Sequence, residues 1–180
     1  MLAVQETGAP SREDSLEGLG MPAGVAALFR KALGRQAGLI LVAGPPGAGK
    51  AATVEAGCAL APHAMRVSVE GPDAGELAVE AALDGRLVIA SLEVDGAIPA
   101  ILRLRGAVSE PFLLAAALRA VVAQRRVRRL CPACREPVQA TGSQASLLGF
   151  DVGAVVWRAP GCQACGASGC GGRTAVFEGV

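Results

Sequence analysis

The sequence predicts an α/β fold built on a mostly parallel sheet, with a small cysteine-bearing module in its C-terminal third. Three observations carry that expectation. Short apolar runs of strand type alternate with segments of helical composition. A glycine-rich loop, GPPGAGK, joins one such run to a helical segment. Two Cys-x-x-Cys pairs fall together near the end of the chain.

Residues 1–20 are polar and broken by Gly8, Pro10, Gly18 and Gly20, which marks a tail or linker. From Pro22, the residues Val25, Leu28, Phe29, Ala32 and Leu33 repeat at helical spacing, with Gly34 as the stop. Gly38–Ala43 is a short apolar strand, and AATVEAGCALA after the loop returns to helical composition. Arg66–Glu70 and Leu87–Leu92 read as two further strands, with AGELAVEAALDG as a helix between them. From Glu110 to Leu130 the pattern predicts one helix, opened by Pro111, with Phe112, Leu113, Ala116, Val121 and Val122 facing the core. Its end is basic, with Arg125, Arg126, Arg128 and Arg129.

Composition narrows the function classes. Of 180 residues, 52% are hydrophobic and 18% charged, which suits a globular domain with a small appendage. No apolar stretch reaches the ~20 residues of a membrane helix, because Arg119 interrupts PFLLAAALRAVVA and Asp84 and Arg86 precede LVIASL. MLAVQETGAPSRED carries Glu6, Glu13 and Asp14 and does not read as a secretory signal. A cytoplasmic setting follows as an expectation, and in a reducing compartment paired cysteines favour metal over disulfide.

Zn²⁺ takes four tetrahedral ligands, and thiolates two residues apart reach one ion from a tight turn. CPAC and CQAC therefore nominate Cys131, Cys134, Cys162 and Cys165 as a structural zinc site. Backbone N–H groups of the turns, near Pro132 and Gly166, are placed to donate to the sulfurs. Four thiolates on one divalent ion leave a formal charge of about −2, which arginines at 125, 126, 128, 129 and 135 offset. Cys58, in an alanine-rich helix, reads as a small packed residue, and Cys170 lies outside the complete set of four.

Gly44, Pro45, Pro46, Gly47, Ala48, Gly49 and Lys50 fit GxxxxGK between a strand and a helix, the setting of a phosphate-binding loop. Glycines let backbone N–H groups surround a phosphate, the helix N-terminus adds partial positive charge, and the lysine reaches the outer phosphates. The next position, where a Ser or Thr hydroxyl holds Mg²⁺, is Ala51. ATP with Mg²⁺ is thus the expected ligand, held weakly.

LGMP, GLILVAGPPGAGK, VEAALDGRLVIASL, EPFLLAAALRAVVAQRRVRRLCPACREP and GCQACGASGCGGRTAVFE resemble, in order, blocks of the C-terminal motor of type II secretion and type IV pilus assembly ATPases. The resemblance spans residues 15 to 178 and implies a reduced RecA-like P-loop NTPase core plus a zinc module. It also implies a ring of homologous subunits working with inner-membrane platform proteins. Against the family pattern the chain is truncated and degenerate. Ala51 and Ala52 replace the hydroxyls after the lysine, and the acidic box survives as Glu70-Gly71-Pro72-Asp73-Ala74, with Glu70 its remnant. Glu93 stands where the family has histidine, while the single His63 lies elsewhere. The stretch from Pro72 to Glu76 is too short for the strand that carries the family's Walker B acid.

The expected organisation is a tail at 1–20, a degenerate P-loop domain at 21–125, and a basic helix end with the zinc module at 126–180. The expected function is weak ATP binding with impaired hydrolysis in secretion or pilus assembly. The alternatives are a non-catalytic zinc-bearing module docking on full-length secretion ATPases, and a zinc-ribbon nucleic-acid binder. The last is disfavoured by a net charge of +1 with four Phe, one Trp and no Tyr.

Overall fold

The computed structural model describes residues 16, 18–71 and 73–180, so most of the expected tail and Pro72 of the acidic box lie outside the described residues. The chain runs α1 (Ala23–Leu33), β1 (Gly38–Ala43), α2 (Lys50–Leu60), β2 (Met65–Ser68), α3 (Ala74–Leu83), β3 (Leu87–Leu92), α4 (Ala97–Arg105) and α5 (Pro111–Ala117). It continues through β4 (Leu118–Leu130), β5 (Glu136–Gln139), α6 (Gly142–Leu148), β6 (Val155–Arg158) and β7 (Cys170–Gly179).

Five strands form one sheet in the order β2-β3-β1-β4-β7. β1 pairs in parallel with β3 and β4, and β2 in parallel with β3. Beyond β7, Val121 and Val180 exchange both backbone hydrogen bonds, at 2.8 and 3.0 Å, the mark of an antiparallel pair at this edge. Every β1 residue is buried, as a central parallel strand requires. Its side chains alternate: Leu39, Leu41 and Ala43 pack with Val79 of α3, Leu104 of α4 and Leu114 of α5. Ile40 and Val42 pack on the other face with Phe29 of α1 and Val54 of α2. β1, β3 and β4 run the same way, and β1 and β3 end level at Ala43 and Leu92, opposite Ala123 of β4. The segments that follow them converge on one edge, where ligands bind in open α/β sheets.

One expectation changes. The helix over 110–130 is seven residues of α5 followed by a thirteen-residue strand. Leu118 turns extended (φ −67°, ψ 131°), and Ala120–Gln124 are buried without interruption, on both faces of a strand held between β1 and β7. A uniformly apolar run such as LLAAALRAVVA has no period to separate helix from strand. Phe112 and Ala116 are accordingly exposed rather than in the core, and the arginines at 125, 126, 128 and 129 lie on a strand, not at a helix end. The strand preceding α3 is β2, bonded directly to β3, and Glu70 follows two residues past its end.

The chain forms two compact units, one reaching to Arg126 and including Ala175–Val180, the other Val127–Thr174. In the second unit, β5 and β6 pair antiparallel from Glu136↔Arg158 to Gln139↔Val155. α6 between them opens with a capping box, in which Thr141 accepts from the Gln144 N–H and Gln144 Oε1 from the Thr141 N–H.

Candidate functional site

The glycine-rich loop leaves the end of β1 and enters α2. Gly44 N–H donates to Leu92 O at 3.2 Å, fixing the loop to the end of β3. A Cβ on Gly44 would stand 2.4 Å from Gln124 O and 2.9 Å from the Ala48 methyl, so only glycine fits. Gly47 (φ +74°) and Gly49 (φ +92°) take left-handed conformations, Gly49 as the N-cap of α2. Lys50 reaches back over the loop, donating to Gly44 O at 2.8 Å, Pro45 O at 3.0 Å and Glu93 Oε1 at 3.4 Å.

Ala51 is exposed and carries no hydroxyl. The hydroxyl two positions on is engaged elsewhere: Thr53, fully buried, donates to Gln124 Oε1 at 2.6 Å. Gln124 Nε2 donates in turn to Ala48 O at 3.0 Å. This buried relay clamps the loop to α2 and β4, and it takes Thr53 out of reach as a metal ligand. The residues present therefore do not fit the usual hydroxyl ligand of Mg²⁺. Arg126, next but one on β4, lays its guanidinium beside Gly49, with Nε 3.6 Å from where a Cβ there would lie.

Glu70 is exposed and accepts from Ser68 Oγ at 2.8 Å, whereas the carboxylate brought to Lys50 is Glu93. His63 sits at the surface near Arg35 O. Sequence reasoning missed Gln124 and the Lys50–Glu93 pair. A lone glutamine inside AVVAQ was the available signal for the first. The second joins residues 43 apart, and no local pattern announces it.

In the second unit, the Sγ atoms of Cys131, Cys134, Cys162 and Cys165 all lie within 4.8 Å of one another. The Cys131–Cys162 and Cys134–Cys165 separations are 4.0 Å and Cys162–Cys165 is 3.8 Å. A tetrahedral ion with Zn–S bonds of about 2.3 Å has S···S edges of about 3.8 Å. The four cysteines thus form a group that could hold one metal ion, and the thiolate donor set fits zinc. Both pairs sit on tight turns, with Arg135 N–H donating to Cys131 O at 2.9 Å and Ala167 N–H to Cys162 O at 2.9 Å. Gly161 (φ +103°) meets Ala167 O so closely that a Cβ would stand 2.5 Å from it. Cys162 N–H donates to Cys165 Sγ at 3.2 Å. That bond leads in drawing the Cys165 thiol down to about 6. Desolvation is the largest influence pushing Cys134 up to about 12. Arg135 stacks 5.2 Å over Trp157. Cys170 stands outside the cluster, and Cys58 packs at the edge of the core, its thiol raised by burial.

Comparison with known proteins places these features. The family described as "Type II/IV secretion system protein" matches residues 68–180. "Type II secretion system protein E" of Pseudomonas aeruginosa is 45% identical over 108 residues, covering 59% of this chain and 22% of that protein. "Type II secretion system ATPase E" of Vibrio cholerae is 32% identical over 213 aligned positions, covering 91% of this chain and 42% of its own length. That alignment is longer than the 180-residue chain, so the relative carries internal segments this chain lacks. "Type IV pilus assembly ATPase PilB" of Thermus thermophilus is 30% identical over 91% of this chain and 24% of that protein. The chain thus spans between a fifth and two fifths of these relatives. Among solved structures, the Legionella pneumophila ATPase DotB superposes with a TM-score of 0.58 at 13% identity, over 92% of this chain and 50% of that one. The pilus retraction motor PilT with bound ADP superposes at 0.50 and 17% identity, over 83% and 53%. These two likenesses establish the RecA-like secretion-ATPase fold.

Proposed function

This chain belongs to the type II/IV secretion system protein family, and from that premise we propose that it binds ATP weakly at Gly44–Ala51 and hydrolyses it poorly. In this reading it works within a secretion or pilus-assembly system beside homologous ATPase subunits and inner-membrane platform proteins, on the cytoplasmic side. The observation that carries it is the state of the hydroxyls: Lys50 is followed by exposed Ala51, and Thr53 is buried in its bond to Gln124. Among the described residues no helix is long and apolar enough to cross a membrane.

The loop retains what phosphate binding needs, left-handed glycines and the N-terminus of α2 with Lys50 above it. What it lacks is the group that positions a metal beside the phosphates. Mg²⁺, when bound with a nucleotide, neutralises charge developing on the transferred phosphoryl. Glu70, turned to Ser68, and Glu93, turned to Lys50, are both engaged elsewhere than on an attacking water. Groups of this kind act as a unit, so their loss together leaves at most residual turnover.

Cys131, Cys134, Cys162 and Cys165 hold a structural Zn²⁺ that closes the second unit, whose short strands β5 and β6 form a sheet of only two. A second reading has this unit as a docking module for a full-length secretion ATPase. It is favoured by the exposed apolar side chains crowded between the cysteine pairs, Leu147 at 85%, Val152 at 78% and Leu148 at 58%. Equilibrium binding of ATP, measured beside phosphate release on parent protein and Lys50→Ala, tests the principal reading. Saturable binding with turnover near that of the variant is the expected result.

A further inference from the structure

An ammonium has three donors, and all three of Lys50 are engaged within the protein: Gly44 O at 2.8 Å, Pro45 O at 3.0 Å and Glu93 Oε1 at 3.4 Å. Two partners are neutral carbonyls of the loop itself. The third is an anion, and a phosphate arriving at Lys50 contends with it. The backbone of Glu93 is fixed in place. Glu93 follows Leu92, the register partner of Ala43, and Leu92 O accepts the Gly44 N–H. Arg103 Nη1 also donates to Glu93 O at 3.2 Å, holding its backbone. The nearby Arg125 is committed to Asp95 at 3.0 Å. The sheet therefore delivers the Glu93 carboxylate to the mouth of the loop with Lys50 as its cation.

We propose that Glu93 is a built-in counter-anion that competes with nucleotide phosphates for Lys50 and so sets the affinity of the loop. The inference rests on reading Gly44–Ala51 as a phosphate site. Glu93 acts twice: it partly neutralises the cation that a phosphate would meet, and its carboxylate repels a phosphate entering the same space. The Glu93 side chain is 57% exposed against 12% for Lys50, so it can swing aside for a ligand, and its effect is moderate and screened by salt.

The test is ATP affinity by equilibrium dialysis for parent protein, Glu93→Gln, Lys50→Ala and the double variant, at low and physiological salt, with and without Mg²⁺. Glu93→Gln keeps shape and removes charge. It is expected to bind ATP on the order of 1.5-fold to fivefold more tightly at low salt, with the gain shrinking as salt rises and vanishing in the Lys50→Ala background. Unchanged affinity, or a gain that survives without Lys50, overturns the proposal. So does a loss of Mg²⁺-dependent binding in Glu93→Gln, which would make Glu93 a metal ligand. If only Glu93→Gln binds, the inference stands and the parent chain is not a nucleotide binder. If the parent binds and the variant binds no tighter, the reading of the loop stands and this inference falls. A readout without nucleotide is acetylation of the chain's two lysines, with Lys31 as internal reference. Lys50 should label faster in Glu93→Gln, and equal labelling rules out the pair.

Discussion

Replacing Thr53 with valine isolates the step on which the functional reading turns. Valine keeps the volume and the β-branched shape, so helix propensity and packing hardly change. What is lost is one hydroxyl, leaving Gln124 Oε1 without its 2.6 Å donor at a site where Thr53 is 0% and Gln124 3% exposed. An acceptor stranded in such a place costs about 1–3 kcal/mol. Replacing Gln124 with leucine removes the partner as well, together with the bond to Ala48 O. In that background Thr53→Val should cost little, giving a coupling energy of about 1–2 kcal/mol in a double-mutant cycle. Urea unfolding followed by far-UV ellipticity reports the first unit, where α1 to α5 reside. The refuting result is a Thr53→Val protein within about 0.5 kcal/mol of the parent that has lost Mg²⁺-dependent ATP binding. Thr53 would then be serving the metal and not the clamp.

Two further outcomes concern the second unit. Protein prepared without chelator should carry about one zinc per chain, and Cys134→Ser or chelation should alter the emission of Trp157, the single tryptophan, by unfolding the unit around it. Metal content far below one per chain refutes the site. If this unit docks on a full-length secretion ATPase, Leu147→Lys with Val152→Lys should abolish co-elution by at least tenfold while zinc content and unfolding midpoint stay put, because both side chains are exposed. Co-elution that persists removes that reading.

The parts of the molecule legible in the sequence are those whose cause is local. Gly38–Ala43 ends in a loop whose glycines must turn left-handed, and strand, loop and α2 follow from that alone. The CPAC and CQAC pairs announce a four-cysteine cluster through spacing, and their sulfurs do converge. Leu118–Leu130 was not legible as a strand because its state depends on β1 and β7 lying on either side, and an unbroken apolar run fits either element. α4 and β7 escaped notice for related reasons: Pro99 and arginines obscure the first, and the second is a glycine-rich stretch beside the cysteines. The candidate site shows the same division. Lys50 was visible in its motif, whereas Gln124 and Glu93 act through contacts across 71 and 43 residues that only the sheet register creates. That register engages Thr53, the next hydroxyl after Ala51, with Gln124 and brings Glu93 to Lys50.

The central claim is that this loop binds nucleotide without turning it over efficiently. Its most direct test is ATP binding and phosphate release measured together on zinc-containing protein, with Lys50→Ala alongside. Saturable binding lost in the variant, with phosphate release scarcely above it, is the result expected from a loop in which Ala51 offers no hydroxyl and Thr53 is bonded to Gln124. Vigorous, Lys50-dependent phosphate release would contradict it.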